Sequence, residues 1–430
     1  MEKLDRRQRP AVSSFSFREM PPCHVSTLDN GVRLHIIDNG TMPVNRVTIV
    51  AGYGAENGEK ATDVSAAHLL LPLFAEGTTD KSGAEIARII DYEGAMIETP
   101  VTELFTCLSL TSLNCATPRL TPLLTDIFRN ATIPDEAFRA VRSRSAQRYE
   151  IQCGNPATVA TRGMVPLVYG PHHPLRHRID SETIMATEVD MVRHVHASAR
   201  DKATIDIFAG GKMDKSTVDA ITALGLSLRD KKLDSPLPLA VHPFKFAEAQ
   251  RIAIAMPESL QTAISISIPA IPRSHPDYNN LRLTVMALGG YFGSRLMTNI
   301  REEKGLTYGI GASLLGNLDG AYVTISAQCR AGSADTVISE IGNEINTLAT
   351  EPMGADELSR LRQYAFTQLM STLDSPFSIT DYYRNMLMLG IPEDYFRQQF
   401  EAITTLTPQT IMEIAGRYLA PEGMRIVTAG

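Results

Sequence analysis

Residues 134–170, "PDEAFRAVRSRSAQRYEIQCGNPATVATRGMVPLVYG", have a second version at 355–390, "ADELSRLRQYAFTQLMSTLDSPFSITDYYRNMLMLG". Pro156 matches Pro376 and Gly170 matches Gly390 at one constant offset, and a single-residue insertion explains the slightly larger offset before Pro156. The same offset relates "IFAG" at 207–210 to "VTAG" at 427–430. A constant offset over several landmarks indicates an internal duplication.

The duplication predicts two homologous domains, at 1–230 and 231–430. A chain of 430 residues is also too long for one ordinary domain. The stretch "RDKKLDSPLPLAVHP" (229–243) is charged and then interrupted by prolines, which is typical of a linker.

Each half begins with strand patterns and continues with helix patterns. The predicted strands are "VRLHIIDN" (32–39), "RVTIVAGYG" (46–54), "RIAIAMP" (251–257) and "TAISISIPAI" (262–271). Ser82 is a predicted N-cap, and long amphipathic helices are predicted at 335–349 and 355–373. This order predicts an α+β fold in which each domain is a largely antiparallel sheet with helices packed on one face.

The composition excludes several classes of protein. A net charge of −7 argues against nucleic-acid binding. The sequence contains no apolar run near the ~18 residues that span a bilayer, and the charged start "MEKLDRRQRP" is unlike a secretory signal, so we expect a cytoplasmic protein. The five cysteines have neither zinc nor redox spacing, and we expect free thiols.

The stretch "VSAAHLLLPLFAEGTTD" (64–80) is similar to a metallopeptidase helix of the H-x-x-E-H type. His68 has the first histidine position, but Leu71 and Pro72 replace the glutamate base and the second histidine. Leucine can neither bind a metal nor transfer a proton. Because proline lacks an N–H group, a helix end or kink is predicted at Pro72.

A second motif lies in "LGGYFGSRLMTNIREEKGLTYGIGASL" (288–314). It lacks the phosphate-loop pattern, so we reject nucleotide binding. The glycines predict a sharp turn from a helix at 277–288 into a helix at 294–302, and Lys304-Gly305 is a predicted helix stop. Arg301 near the helix end and Tyr308 beyond the turn are predicted to converge. Their donor groups could hold a peptide carbonyl and stabilise oxyanion charge.

The run "IREEKGLTYGIGASL" (300–314) resembles the carboxy-terminal signature of the pitrilysin/insulinase metallopeptidases, and the likeness extends from about Val25 to Gly430. Members of this family close two duplicated chains, or one doubled chain, as a clamshell. One half carries zinc at an H-x-x-E-H site, and the other half lends an arginine and a tyrosine. By this resemblance, those two residues are Arg301 and Tyr308.

The family's third zinc ligand is a glutamate on a long helix downstream of the motif, and its place here falls at or near Arg148. The resemblance therefore implies a non-catalytic, activating subunit with no metal of its own. Zinc is expected on a homologous catalytic subunit with an intact motif. The implied substrate is a peptide bound as an added strand at a sheet edge, and the isolated chain is a possible homodimer.

Two alternatives remain open. A catalytically inactive scaffold or peptide-binding protein of the same fold also fits a degenerate zinc site, although a scaffold does not need the arginine and tyrosine. A homodimeric metalloenzyme would instead use clustered histidines, which are His172, His173, His177, His194 and His196. These histidines have no spaced carboxylate or cysteine partners, which disfavours the second alternative.

Overall fold

The computed structural model describes residues 15–176, 179–318 and 320–430, which form two β-sheets and fourteen α-helices. The first sheet contains β1 (His24–Thr27), β2 (Arg33–Asp38), β3 (Val44–Ala51), β4 (Met96–Glu98), β5 (Thr106–Leu113) and β6 (Ile205–Gly211). The second contains β7 (Arg251–Ile254), β8 (Gln261–Ala270), β9 (Thr307–Gly316), β10 (Ala321–Arg330) and β11 (Arg425–Ala429).

Each half begins with strands, as the sequence predicts, and then helices and further strands alternate along the chain. The first half has α1 (Ala61–Leu70), α2 (Gly83–Tyr92), α3 (Thr117–Asn130), α4 (Asp135–Cys153), α5 (Pro156–Tyr169), α6 (Ser181–Ala186), α7 (Val189–Asp201) and α8 (Lys215–Ser227). The second half has α9 (Tyr278–Gly289), α10 (Ala334–Thr350), α11 (Ala355–Ser371), α12 (Pro376–Met388), α13 (Tyr395–Thr405) and α14 (Pro408–Tyr418). None of the described helices is both long and apolar enough to cross a bilayer.

The strand orders of the two sheets confirm the duplication. The first sheet has the order β1-β2-β6-β3-β5-β4, and the second has the order β7-β11-β8-β10-β9. If β1 is set aside, each strand of one sheet has a counterpart at the same place in the other. The counterparts β6 and β11 begin at Ile205 and Arg425, which are separated by the same offset as Pro156 and Pro376.

Both sheets are largely antiparallel, as expected. Only the β2–β6 and β7–β11 pairs are parallel among the strand pairs of the described chain.

The predicted helix cap at Ser82 is present in the structure. The Ser82 hydroxyl accepts a hydrogen bond from the Glu85 N–H at the start of α2, and the Asn155 side chain caps α5 in the same way by accepting from the Ala157 N–H. Because these caps satisfy N–H groups that lack helical partners, they fix where the helices begin.

Each sheet buries one face against helices of its own half. The first core packs Leu70, Phe74, Phe128 and Val192 against Ile207 of β6. The second core is built in the same way between the second sheet and α9, α10, α11, α13 and α14. These two cores account for the expected arrangement of helices on one face of each sheet.

The opposite face of each sheet receives a helix from the other half, which the sequence did not predict. Helix α5 packs on β8 and β11 through Met164 and Leu167. Helix α12 packs on β6, and Met388 contacts a small cluster around Phe208. Because α5 and α12 are duplicates of one another, the exchange is reciprocal, and it joins the two halves.

The segment between Ser227 and Arg251 contains neither helix nor strand, in agreement with a linker at 229–243. Backbone hydrogen bonds hold this segment against the first half, as from the Leu237 N–H to the Lys202 carbonyl at 2.8 Å. The domain boundary at 230 stays a prediction, because the reciprocal exchange of α5 and α12 interleaves the two halves.

Candidate functional site

The helix that carries His68 ends where the proline predicts. Helix α1 begins at Ala61, where the Asp63 carboxylate accepts a hydrogen bond from the Lys60 N–H. It ends at Leu70, and a 3-10 turn follows over Leu71–Glu76. Leu71 is buried and Pro72 is exposed. Proline cannot donate the next helical hydrogen bond, which explains the change of helix type.

His68 lines a cavity of about 500 Å³ between α1, α4 and α5, here called the His68 cavity. The Nε2 atom of His68 lies 3.0 Å from Oε2 of Glu103, in the loop before β5. Arg148, at or near the expected place of the third ligand, lies on the wall of the same cavity, but its side chain is exposed and forms no ion pair with a described carboxylate. The structure therefore brings His68 and Arg148 together.

Most of the other residues that line the His68 cavity are apolar or aromatic, and the polar ones include Gln152 and Arg162. The guanidinium of Arg162 stacks on the Tyr149 ring at 4.0 Å and donates to the carbonyl of Ile179 at 3.0 Å. Burial raises the pKa of the Tyr149 phenol, and neighbouring Cys153 adds to the rise. These contacts fill part of the cavity with stacked side chains.

The residues of this cavity do not fit a zinc ion. A catalytic zinc site needs three protein ligands and an open position, whereas here one histidine is already paired with a carboxylate. The cation of Arg148 lies where an anionic ligand would be required, and Leu71 is buried and apolar. Among the described residues, no group of three or more His, Cys, Asp or Glu side chains could hold a metal ion.

Arg301 lies on a π-helical segment, Met297–Glu303, that follows the glycine turn after α9. A π-turn is a rare insertion into a helix and is frequent at functional sites. The segment ends as predicted at Lys304-Gly305: Gly305 has φ +61°, and the Leu306 N–H donates to the Ile300 carbonyl at 2.9 Å. A positive φ is strained for residues with a Cβ, which explains the glycine.

The structure brings Arg301 and Tyr308 together. The Cζ atom of Arg301 lies 5.7 Å from the centroid of the Tyr308 ring and 4.7 Å from that of Phe292. Tyr308 is 90% exposed and Phe292 is 63% exposed. Two aromatic rings position the guanidinium of Arg301. Because Arg301 forms no ion pair with a carboxylate of the described chain, its N–H donors are available to a ligand.

Tyr308 lies on β9, which is an edge strand of the second sheet. It lines a shallow hollow with Gly309 and Gln328 of that sheet and with Ala157 and Thr161 of α5. Helix α5 therefore lines both this hollow and the His68 cavity. The unpaired backbone of an edge strand is a ready template for an added strand.

The clustered histidines are not gathered into a site. His173 is buried, and its Nδ1 accepts a hydrogen bond from the Leu175 N–H, so it is a loop hydrogen-bond acceptor rather than a surface group. His196 is also buried and donates from Nε2 to the Phe128 carbonyl at 2.7 Å. His172 and His194 lie elsewhere on the surface, and His177 lies outside the described residues. The cysteines in the described chain are free, as expected.

Two neighbours of the predicted residues were missed by the sequence analysis. Phe292 lies in the quoted glycine segment, and the only signal for it in the sequence was an aromatic residue between those glycines. Glu103 lies in a loop far along the chain from His68, so no spacing rule connects the two.

Comparison with known proteins agrees with these observations. The model of the "Peptidase M16 inactive domain" family matches residues 188–364. The chain is 22% identical over 369 residues to YmxG of Bacillus subtilis, an uncharacterized zinc protease, covering 85% of this chain and 88% of YmxG.

Solved structures share the fold. A peptidase M16 inactive domain from Pseudomonas fluorescens superposes with a TM-score of 0.84 at 22% identity, covering 95% of this chain and 98% of that one. The periplasmic protease PqqL from Escherichia coli superposes with a TM-score of 0.78 at 16% identity, and the match covers 100% of this chain but 49% of PqqL. Together with the motif over 300–314, these matches support a non-catalytic, M16-like protein of the pitrilysin/insulinase type.

Proposed function

We propose that this chain is the activating, non-catalytic subunit of a heteromeric zinc metalloendopeptidase of the processing-peptidase type. The observation that carries the proposal is the pair formed by Arg301 and the exposed Tyr308, 5.7 Å apart between guanidinium carbon and ring centroid. A pair with one exposed member and no carboxylate partner in the described chain contributes little to folding, so its arrangement is best explained by a ligand.

In this proposal the partner is a homologous subunit with an intact H-x-x-E-H motif, which would bind the zinc and its water. The present chain supplies binding and orientation. Arg301 and the Tyr308 hydroxyl donate to the carbonyl oxygen of the scissile peptide, while the peptide backbone pairs with the edge of β9. Donors that meet developing negative charge away from bulk water stabilise the transition state.

The proposal is tested by mixing the purified chain with its zinc-bearing homologue and measuring cleavage of an unfolded peptide. We expect neither isolated chain to match the turnover of the mixture. Tyr308→Phe should lower kcat about 100-fold or more, the usual effect of losing one oxyanion donor. Tyr92→Phe is the matched control, because Tyr92 is a similarly exposed tyrosine on α2.

Unchanged turnover in Tyr308→Phe would remove the tyrosine from the reaction. A stable complex between the two chains in which the present chain has no effect on turnover would favour the alternative, a catalytically inactive scaffold or peptide-binding protein. Size-exclusion chromatography of the mixture and of the isolated chain distinguishes a heterodimer from a homodimer. A cytoplasmic location remains part of the proposal and is tested by cell fractionation.

A further inference from the structure

The second half contains a cavity at the place that corresponds to the His68 cavity. The His68 cavity lies between α1, α4 and α5, whereas this one lies between α9, α11 and α12, with α13 at one side. Arg162 of the first cavity and Tyr382 of the second occupy matching positions of the duplication. The second cavity has a volume of about 360 Å³ and is here called the Arg282 cavity.

Arg282, on α9, lies on the wall of this cavity with unsatisfied donors. Its Nε and Nη2 atoms are buried and have no hydrogen-bond partner in the described part of the chain. No ion pair connects its guanidinium to a described carboxylate. A guanidinium is always charged in proteins, and a buried charge without a partner is costly.

The groups that surround Arg282 do not neutralise it. Its titratable neighbours are the phenols of Tyr278, Tyr382 and Tyr395, which are neutral, and a second cation, Arg273. The hydroxyl of Tyr395 and the Nε atom of Arg273 are likewise buried and without a partner among the described residues. Burial lowers the pKa of Arg282, which reflects the same unfavourable environment.

Further polar groups line the cavity. They come from Tyr364 and Gln368 on α11 and from Thr372 just after it, while Tyr382 already donates its hydroxyl proton to Oε1 of Gln399 at 2.7 Å. The cavity therefore combines an uncompensated cation with neutral hydroxyl and amide groups. Buried polar groups of this kind are normally satisfied by water or by a bound ion.

We propose that the Arg282 cavity binds a compact oxyanion, for which inorganic phosphate is the simplest probe. The flat fork of the guanidinium matches the spacing of oxygen atoms in phosphate and carboxylate groups. The anion supplies the missing negative charge and accepts hydrogen bonds from the cavity wall. This site is independent of the peptide-binding role proposed for Arg301 and Tyr308.

The test is calorimetric titration of the full chain with sodium phosphate and, separately, with sodium acetate, each against sodium chloride at equal ionic strength. Saturable binding of either anion, with a matching rise in Tm, is the expected result, and the tighter of the two identifies the chemical class. Arg282→Met, which keeps much of the side-chain volume, should weaken binding about tenfold or more. Arg360→Met, which replaces an exposed arginine on α11, should bind like the wild type.

Absence of saturable binding of both anions to the wild-type chain would overturn the proposal, and so would equal binding by Arg282→Met. If that variant fails to fold, Arg282→Lys keeps the charge but loses the fork and should bind more weakly than the wild type. Equal binding by a folded Arg282→Lys variant and by the wild type would contradict the assigned geometry.

Discussion

Gly210 on β6 marks a close contact between the two halves of the molecule. A Cβ atom at this position would lie 1.8 Å from Oγ1 of Thr380 and 3.0 Å from the carbonyl oxygen of Pro376, both on α12. The Thr380 hydroxyl cannot rotate away freely, because it donates to that same carbonyl at 2.7 Å. We therefore expect Gly210→Ala to separate α12 from the first sheet.

The expected cost follows from these contacts. Replacing a strand glycine by alanine contributes about 0.5–1 kcal/mol of stability through chain entropy when space is available. Overpacking usually costs about 1–3 kcal/mol. Because the new methyl group would lie so close to Thr380, we expect the overpacking cost at Gly210 to be near or above the upper end of that range. We expect Gly210→Ala to lower the free energy of unfolding by about 2 kcal/mol, as measured by urea denaturation.

A double-mutant cycle tests the cause. Thr380→Ala removes the hydroxyl that the new methyl group meets, so the double variant should be more stable than the sum of the single effects by about 1 kcal/mol. Gly342→Ala is the control, because a Cβ at Gly342 in the middle of α10 meets no atom within 4 Å. That substitution should be stabilising by up to about 1 kcal/mol.

Additive effects of the Gly210 and Thr380 substitutions, within about 0.5 kcal/mol, would refute this reasoning. So would a Gly210→Ala variant as stable as the wild type. Either result would mean that α12 does not pack on β6 as closely as the structure shows. The prediction concerns function as well, because this contact holds the half with the His68 cavity against the half with Arg301.

The site and the buried titratable groups lead to three further predictions. The purified chain should contain much less than one equivalent of zinc by elemental analysis, because the described residues of the His68 cavity do not form a ligand set. Burial lowers the pKa of His196, so the folded state resists protonation, and stability should fall as the pH drops below the unfolded value of about 6.5. His196→Gln should show a smaller loss of stability between about pH 7 and about pH 5 in urea denaturation. Burial raises the pKa of Cys107 to about 11, so exposed Cys115 should react first with a thiol reagent and Cys107 only after unfolding.

Each of these predictions has a clear contrary result. A full equivalent of tightly held zinc would contradict the description of the His68 cavity. A pH profile for His196→Gln that is parallel to that of the wild type would show that the imidazole does not control this part of the curve. Rapid labelling of Cys107 in a folded Cys115→Ser variant would show that the first sheet opens more readily than its packing indicates.

Much of the fold could be predicted from the sequence. Four features can be read along the chain and are present in the structure: the constant offset of the duplication, the strand and helix patterns, the cap at Ser82 and the helix stop at Gly305. The convergence of Arg301 and Tyr308 was predictable for a similar reason. The two residues are close in the chain, and one glycine turn determines their geometry.

The sequence by itself also determined which chemistry is absent at the degenerate motif, since Leu71, Pro72 and Arg148 are the wrong residue types for zinc wherever they lie. Only the tertiary structure decided which surfaces meet. The reciprocal packing of α5 and α12, the pairing of His68 with Glu103 and the burial of Arg282 depend on contacts between segments distant in the chain. Residue spacing fixes geometry within one or two turns, but those contacts follow from how whole helices and sheets fit together.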